Sequence, residues 1–287
     1  QIIEVYFEQK IVPGKTLIFI DEIQHAPTLI NLLRFFYEER KDVHIIAAGS
    51  LMDVIIEKLG FSFPVGRVEF AYMYPLDFFE FLEAKEKHSL LDYLNNLSLD
   101  QTIPEAIHTE ALKYFYEYTM IGGMPEVVNE YIQGAGINEL RTIYSSLMTS
   151  YLEDVYKYSS HANSKYLNYI IEKAPLAAGT TITYDKFGDS LFRSREMGEA
   201  FRLLEKIMLL YQVQATKSKS LPLMEQRKRP KKLLFLDVGL VNHLMGIEKD
   251  FFNLRELTDL YRGQIAEQVT GQNILAQHVS TVPKLYY

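Results

Sequence analysis

Residues 17–24 read L-I-F-I-D-E-I-Q, four apolar side chains followed at once by two carboxylates. A short unbroken apolar run is the pattern of a strand buried on both faces of a parallel sheet. Such a strand constrains the whole chain, because parallel neighbours need a crossover connection, usually a helix. Open α/β sheets bind ligands at the C-terminal edge of their strands. Asp21 stands at that edge, where a carboxylate oxygen suits a hard cation such as Mg²⁺. Glu22, one residue on, is placed to orient or deprotonate a water that attacks a γ-phosphate. The alternative is a core strand ending in a solvated acidic turn, and these eight residues alone leave both readings open.

The surrounding pattern predicts an α/β unit. Val43–Ala48 is a second apolar run, ending at Gly49-Ser50, and His25–Glu39 carries Leu29, Leu32, Leu33 and Phe36 at helical spacing. These segments predict two neighbouring parallel strands with a helix between them. Ser50 is placed to sense a γ-phosphate or to cap the helix predicted over 51–59. Arg67, after Gly66, could stabilise transition-state charge, although a surface salt bridge is the favoured reading. Pro13-Gly14-Lys15-Thr16 invites comparison with the end of a phosphate-binding loop. The first glycine of that motif would fall at Gln9, and the segment enters a strand rather than a helix, so it is read as a turn.

Further along, residues 85–160 read as helices with a break at Gly122-Gly123-Met124-Pro125. From 161 to 246 the pattern becomes helix (165–173), short helix (184–191), longer helix (194–207), strand (208–213), basic loop and strand (233–236). That is the order of a winged helix-turn-helix. The proposed wing carries Lys217, Lys219, Arg227, Lys228, Arg229, Lys231 and Lys232 against Glu225 alone, which suits phosphate contacts. The longer helix balances Arg193, Arg195 and Arg202 against Glu196, Glu199 and Glu205, so use of the fold for protein packing is an equal alternative. A polar linker (248–259), a helix (263–279) and a strand starting at Lys284 complete the chain.

Composition narrows the classes. The chain has no cysteine, which excludes disulfides and thiol catalysis and fits a cytoplasmic protein. It has no run of about 18 apolar residues, so no membrane span is expected. A net charge of −7 argues against nucleic-acid binding over the whole surface but leaves a local basic patch open. The seven histidines are scattered, so no zinc site is assigned. With 17 phenylalanines and 20 tyrosines and no tryptophan, an aromatic-rich core is expected.

Taken together, the motifs resemble a family of prokaryotic AAA-type ATPases with a C-terminal region of uncharacterised function, containing a winged helix and a restriction-endonuclease-like fold. The matching segments, in order, are L-I-F-I-D-E-I-Q (17–24), I-I-A-A-G-S (45–50), G-R (66–67), Y-P-L-D-F-F-E-F-L (74–82), G-G-M-P-E-V-V (122–128), K-K-L-L-F-L-D-V-G-L (231–240) and Y-R-G-Q-I-A-E-Q (261–268). The resemblance implies a Walker B role for the acidic pair, with Asp21 handling Mg²⁺ and Glu22 catalytic. It implies a polar sensor at Ser50, a G-R arginine at Arg67, and the first acidic position of the nuclease-like fold at Glu267.

The expected fold is therefore α/β. A partial AAA-type parallel sheet (1–84) and helical lid (85–160) precede a winged helix-turn-helix (161–246), then a linker and the start of a nuclease-like domain (247–287). Family members carry their P-loop upstream of the acidic strand, so these residues are expected to be the middle of a longer protein. The expected function is ATP binding and Mg²⁺-dependent hydrolysis coupled to a DNA- or protein-binding region. A non-catalytic winged-helix DNA-binding regulator and an ATP-switched nuclease-like effector are the alternatives. Expected partners are ATP, DNA through Lys217, Lys219, Arg227, Lys228 and Arg229, and partner proteins or further copies of the chain, with no membrane.

Overall fold

The computed structural model describes residues 2–49, 52, 66–98, 100–158, 161–247 and 259–287. Ser50, the helix expected over 51–59 and the linker over 248–258 lie outside the described residues. The chain divides into two compact units, Gln1–Phe70 and Ala71–Tyr287.

The first unit begins with a short helix, α1 (Ile2–Tyr6), followed by β1 (Leu17–Ile20), α2 (Pro27–Glu39) and β2 (His44–Ala47). Pro13–Lys15 form the turn expected before β1, with Gly14 N–H donating to Asp42 O at 2.7 Å. Pro27 occupies the first turn of α2, where its fixed φ suits the helix and its missing N–H costs nothing. β1 and β2 pair in parallel, Leu17 with His44 through Ile20 with Ala47, as the two apolar runs predict.

Their burial differs from expectation. Neither strand is buried on both faces. Ile18, Ile20, Ile45 and Ala47 are half-buried, and Leu17, Phe19, His44 and Ile46 are exposed. Side chains alternate across a pleated sheet, and two strands cover only one face well. Among the described residues of this unit, the buried apolar ones are Ile23, Ile30 and Val43, from the β1–α2 turn, the helix and the start of β2.

The second unit is mostly helical. It contains α3 (Phe78–Ala84), α4 (His88–Asn95), α5 (Glu105–Ile121), α6 (Pro125–Ile132), α7 (Ile137–Tyr158) and α8 (His161–Lys173). The start of α3 is fixed by a reciprocal capping box, with Asp77 accepting from Glu80 N at 2.9 Å and Glu80 accepting from Asp77 N at 2.8 Å. The α5–α6 break falls at Gly122–Met124. The expected aromatic core is present. Phe78 packs on Phe115 and Tyr118, and Phe81 packs on Tyr118 in turn, with centroids 5.3–5.8 Å apart.

After α8 come a 3₁₀ turn (Pro175–Ala177), β3 (Thr181–Ile182), a second 3₁₀ turn (Phe187–Asp189), α9 (Ser194–Lys206), β4 (Leu210–Val213), β5 (Lys231–Phe235), α10 (Val238–Met245) and α11 (Asp259–Ala276). The three strands form an antiparallel sheet in the order β3–β5–β4. Met197, Ala200, Phe201 and Leu204 make the buried stripe of α9, at the spacing of one helix face. The C-terminal segment adds beside β4. Gln214 N donates to Leu285 O at 2.9 Å and Tyr287 N to Gln214 O at 3.0 Å, so the strand expected from Lys284 is present as a short parallel bridge.

Candidate functional site

Asp21 and Glu22 leave the C-terminal end of β1 in a tight turn that is tied to β2. Ile23 N–H donates to Ala48 O at 3.0 Å, and Ala48 N–H donates to Ile20 O at 2.8 Å. The acidic pair is thereby held beside Ala48-Gly49, the end of the neighbouring parallel strand. Glu22 has φ +49°, left-handed backbone that a non-glycine residue rarely adopts. Two bonds hold it there: its own N–H donates to Asp21 Oδ1 at 3.0 Å, and His25 N–H donates to Glu22 O at 2.9 Å. Backbone outliers of this kind cost on the order of 1–3 kcal/mol and cluster at functional sites.

The Glu22 carboxylate remains about half exposed. Gln24 Nε2 donates to its Oε2, and His25 Nε2 lies 4.0 Å from the same oxygen. Gln24 itself is buried, and a Cβ at Gly49 would come within 2.2 Å of Gln24 Oε1. Glycine at 49 therefore leaves room for the amide that holds Glu22. Among the described residues no group of three or more His, Asp or Glu is arranged to hold a metal. Mg²⁺ does not need one, since it is commonly held by one or two carboxylates, water and substrate phosphates.

The other residues expected here are placed differently. Arg67 is committed to α2. Its Nε lies 2.8 Å from Glu38 Oε1, which Arg34 also reaches at 3.0 Å, and the two arginines hold the Glu38 carboxyl below its ordinary range. This is the surface salt bridge favoured from sequence. Glu267 lies in the second unit, on α11, where Lys232 Nζ of β5 approaches its Oε2 at 2.7 Å.

Of the seven basic residues assigned to the wing, five lie on the β4–β5 connection: Lys217, Lys219, Arg227, Lys228 and Arg229, all exposed. Lys231 and Lys232 belong to β5 instead, with Lys231 over the Tyr184 ring and Lys232 paired to Glu267. The structure also changes the charge reading of α9. Glu205 turns inward, accepting from Gln212 N at 2.9 Å and Gln212 Nε2 at 2.8 Å, and burial raises its carboxyl above the usual range. Glu196 is partly buried, while Arg193, Arg195, Arg202 and Lys206 are exposed with Glu199 as the acidic residue among them. The solvent face of α9 is therefore basic although the helix as a whole is balanced. A helical-wheel count shows this, because 195, 199, 202 and 206 form one stripe.

A third assembly went unnoticed in the sequence. Asp237 is fully buried and caps α10, with Oδ1 accepting from Leu240 N at 3.1 Å. Its Oδ2 accepts from Gly123 N at 2.7 Å and from Gln272 Nε2 at 2.9 Å. Gln272 Oε1 accepts from Val238 N at 2.9 Å, and Tyr118 O–H donates to Leu76 O at 2.9 Å while accepting from Gln272 at 3.1 Å. Asn273 Oδ1 accepts from Phe78 N at 2.7 Å. Burial pushes the Asp237 carboxyl up, and its N–H donors pull it back.

Gly122, at φ +69°, and Gly123 make this approach possible. A Cβ at 122 would lie 2.1 Å from Asp237 Oδ1, and one at 123 would lie 2.0 Å from Leu76 O. The segments 74–82, 122–128 and 231–240 thus meet at one buried carboxylate whose acceptors are filled by protein donors. That is the chemistry of a structural joint rather than of a reaction centre.

Comparison with known proteins gives two family matches. Residues 1–82 match the family model of an AAA domain. Residues 112–250 match that of a domain of unknown function (DUF8612). The first match supports an AAA-type, nucleotide-binding P-loop family for the part of the chain that holds Asp21 and Glu22. The second covers most of the helices and all three antiparallel strands, in a region whose function is uncharacterised. No curated protein and no solved structure matches the chain. No helix among the described residues is long and apolar enough to cross a membrane.

Proposed function

We propose that the chain is part of an AAA-type ATPase in which Asp21 would hold Mg²⁺ and Glu22 positions the attacking water. The observation that carries this reading is the turn after β1. It presents two adjacent carboxylates at the C-terminal end of a parallel strand, fastened to the end of the next, within the segment that matches an AAA domain. ATP supplies the phosphoanhydride to be cleaved. Glu22, held by Gln24 and by its own backbone turn, orients the water and accepts its proton. Ser50, three residues beyond β2 in sequence, would contribute a polar group. In the full-length protein, Asp21→Asn should raise the Mg²⁺ concentration needed for half-maximal ATP turnover. An unchanged Mg²⁺ dependence would remove Asp21 from the metal.

A second activity is favoured by a separate observation. The order helix, strand, 3₁₀ turn, helix, hairpin over 161–246 supports a winged helix-turn-helix reading, with the 3₁₀ turn at 187–189 in place of the short helix expected over 184–191 and α9 as recognition helix. The basic solvent face of α9 and the five cations on the β4–β5 loop support duplex DNA as its ligand. The nucleotide state of the N-terminal part would then regulate DNA engagement by this region.

A further inference from the structure

The β4–β5 loop is built for more than phosphate contact. Its base is closed by a bridge between Thr216 and Glu225 and by Gln226 N donating to Ala215 O at 2.8 Å. A second tier closes above it. Thr216 Oγ1 accepts from Ser218 N at 3.1 Å and donates to Met224 O at 2.9 Å, and Met224 N donates to Ser218 Oγ at 3.1 Å. Beyond this tier the chain reads Lys219-Ser220-Leu221-Pro222-Leu223, and Met224 closes the tier itself. Its apolar side chains point into solvent, with Leu221 85% exposed and Met224 71% exposed. An ordered loop that holds large apolar side chains in water, rather than folding them inward, loses burial it could have had.

The charge around this tip identifies an occupant. Lys217 and Lys219 stand on the ascending side, and Arg227, Lys228 and Arg229 on the descending side, all exposed. Cations on both flanks of an apolar point match a duplex minor groove, which has a phosphate chain on each side and stacked bases at its floor. Leucine, methionine and proline are among the residues that wedge between base steps and kink the duplex. A bilayer fits less well, because interfacial anchors use a broad apolar face with aromatic residues, and this tip is narrow and has none.

We propose that the β4–β5 loop is a minor-groove wedge: Leu221 and Met224 insert at a base step while the flanking cations grip the two backbones, bending the DNA. This rests on the DNA-binding reading of the winged helix and adds to it a groove, a mode of contact and a deformation. Flexible pyrimidine–purine steps should be the preferred targets, because they unstack most easily.

The test uses the full chain and a 20-base-pair duplex with a central TA step. The duplex carries 2-aminopurine at that step, or a donor–acceptor dye pair at its ends. Binding of the wild-type chain should brighten the 2-aminopurine and raise end-to-end energy transfer. Leu221→Ser/Met224→Ser should abolish both signals and weaken binding by about tenfold, the low end of what burial of one leucine- or methionine-sized side chain is worth, while leaving the salt dependence unchanged. Both side chains are exposed, so these changes leave the core untouched, and circular dichroism checks the fold. Equal affinity and equal 2-aminopurine response in the serine variant would overturn the wedge while sparing phosphate binding. Absence of duplex binding by the wild-type chain at low salt would overturn the wedge and the DNA reading together. Bending by the wild-type chain without any 2-aminopurine brightening would place the tip outside the stack and also overturn the proposal.

Discussion

Asp237→Asn is the sharpest probe of the buried joint that organises the C-terminal unit. The substitution keeps shape and removes one acceptor. At present Oδ2 takes Gly123 N at 2.7 Å and Gln272 Nε2 at 2.9 Å, and Oδ1 takes Leu240 N at 3.1 Å. An asparagine must turn its NH₂ toward one of these donor sets. The cheaper choice faces Leu240, which keeps two bonds and sacrifices the α10 cap. Loss of an N-cap costs about 1 kcal/mol. Leaving Leu240 N–H and the new amide buried against each other adds roughly 1–3 kcal/mol. Relief of the buried charge offsets part of this, so the expected destabilisation is about 2–4 kcal/mol. The assay is urea unfolding followed by far-ultraviolet circular dichroism, with hydrogen exchange at the Gly123 and Leu240 amides as a local readout. Both amides should exchange faster in the variant. A loss below about 0.5 kcal/mol, within the range of ordinary surface substitutions, with unchanged exchange would refute the joint. A gain in stability would mean that charge burial outweighs the hydrogen bonds.

Four further outcomes are expected. Gly122→Ala should be at least as damaging as Asp237→Asn in the same unfolding assay, because its φ of +69° disfavours a side chain and the new Cβ would strike Asp237. Replacing Arg227, Lys228 and Arg229 with alanine should weaken duplex binding for all sequences alike and flatten its salt slope, by up to about 0.9 per lost phosphate contact, in anisotropy titrations. Arg195→Ala should do less than this triple change, since Arg195 is 3.4 Å from Glu199 on its own helix. The 287 residues taken alone should show no saturable ATP binding at micromolar concentrations by calorimetry, because the sequence contains no G-x-x-x-x-G-K-[ST] loop to supply the main phosphate contacts.

Local pattern was legible wherever one element carried the whole signal. Two apolar runs separated by a helical stripe predict the parallel pair β1–β2, and the structure has it in register. Gly122-Gly123 marks a break because one glycine needs φ +69° and the other lets Leu76 O approach. What stayed hidden depended on partners far along the chain. β3 has only two residues, too few for any period, and exists because Thr181 and Ile182 pair with β5. The joint at Asp237 draws on residues 76, 78, 118, 123, 272 and 273, and no local spacing links them. The exposed outer face of β1 and β2 depends on how many strands flank them, which four-residue runs do not specify. At the acidic turn, sequence predicted the carboxylates and their strand. The left-handed backbone of Glu22 and its amide partner Gln24 required coordinates.

The role proposed for Glu22 is to prepare water for attack on the terminal phosphate. Single-turnover ATP hydrolysis by the full-length protein carrying Glu22→Gln tests this most directly. The substitution keeps the side chain's size and its hydrogen bonding to water but removes the base. ATP and Mg²⁺ binding should persist, and hydrolysis should slow by about 10²–10⁴-fold, the usual contribution of a general base. Hydrolysis within about twofold of the wild-type rate, a barrier change well under the 1.36 kcal/mol that corresponds to tenfold, would contradict the assignment.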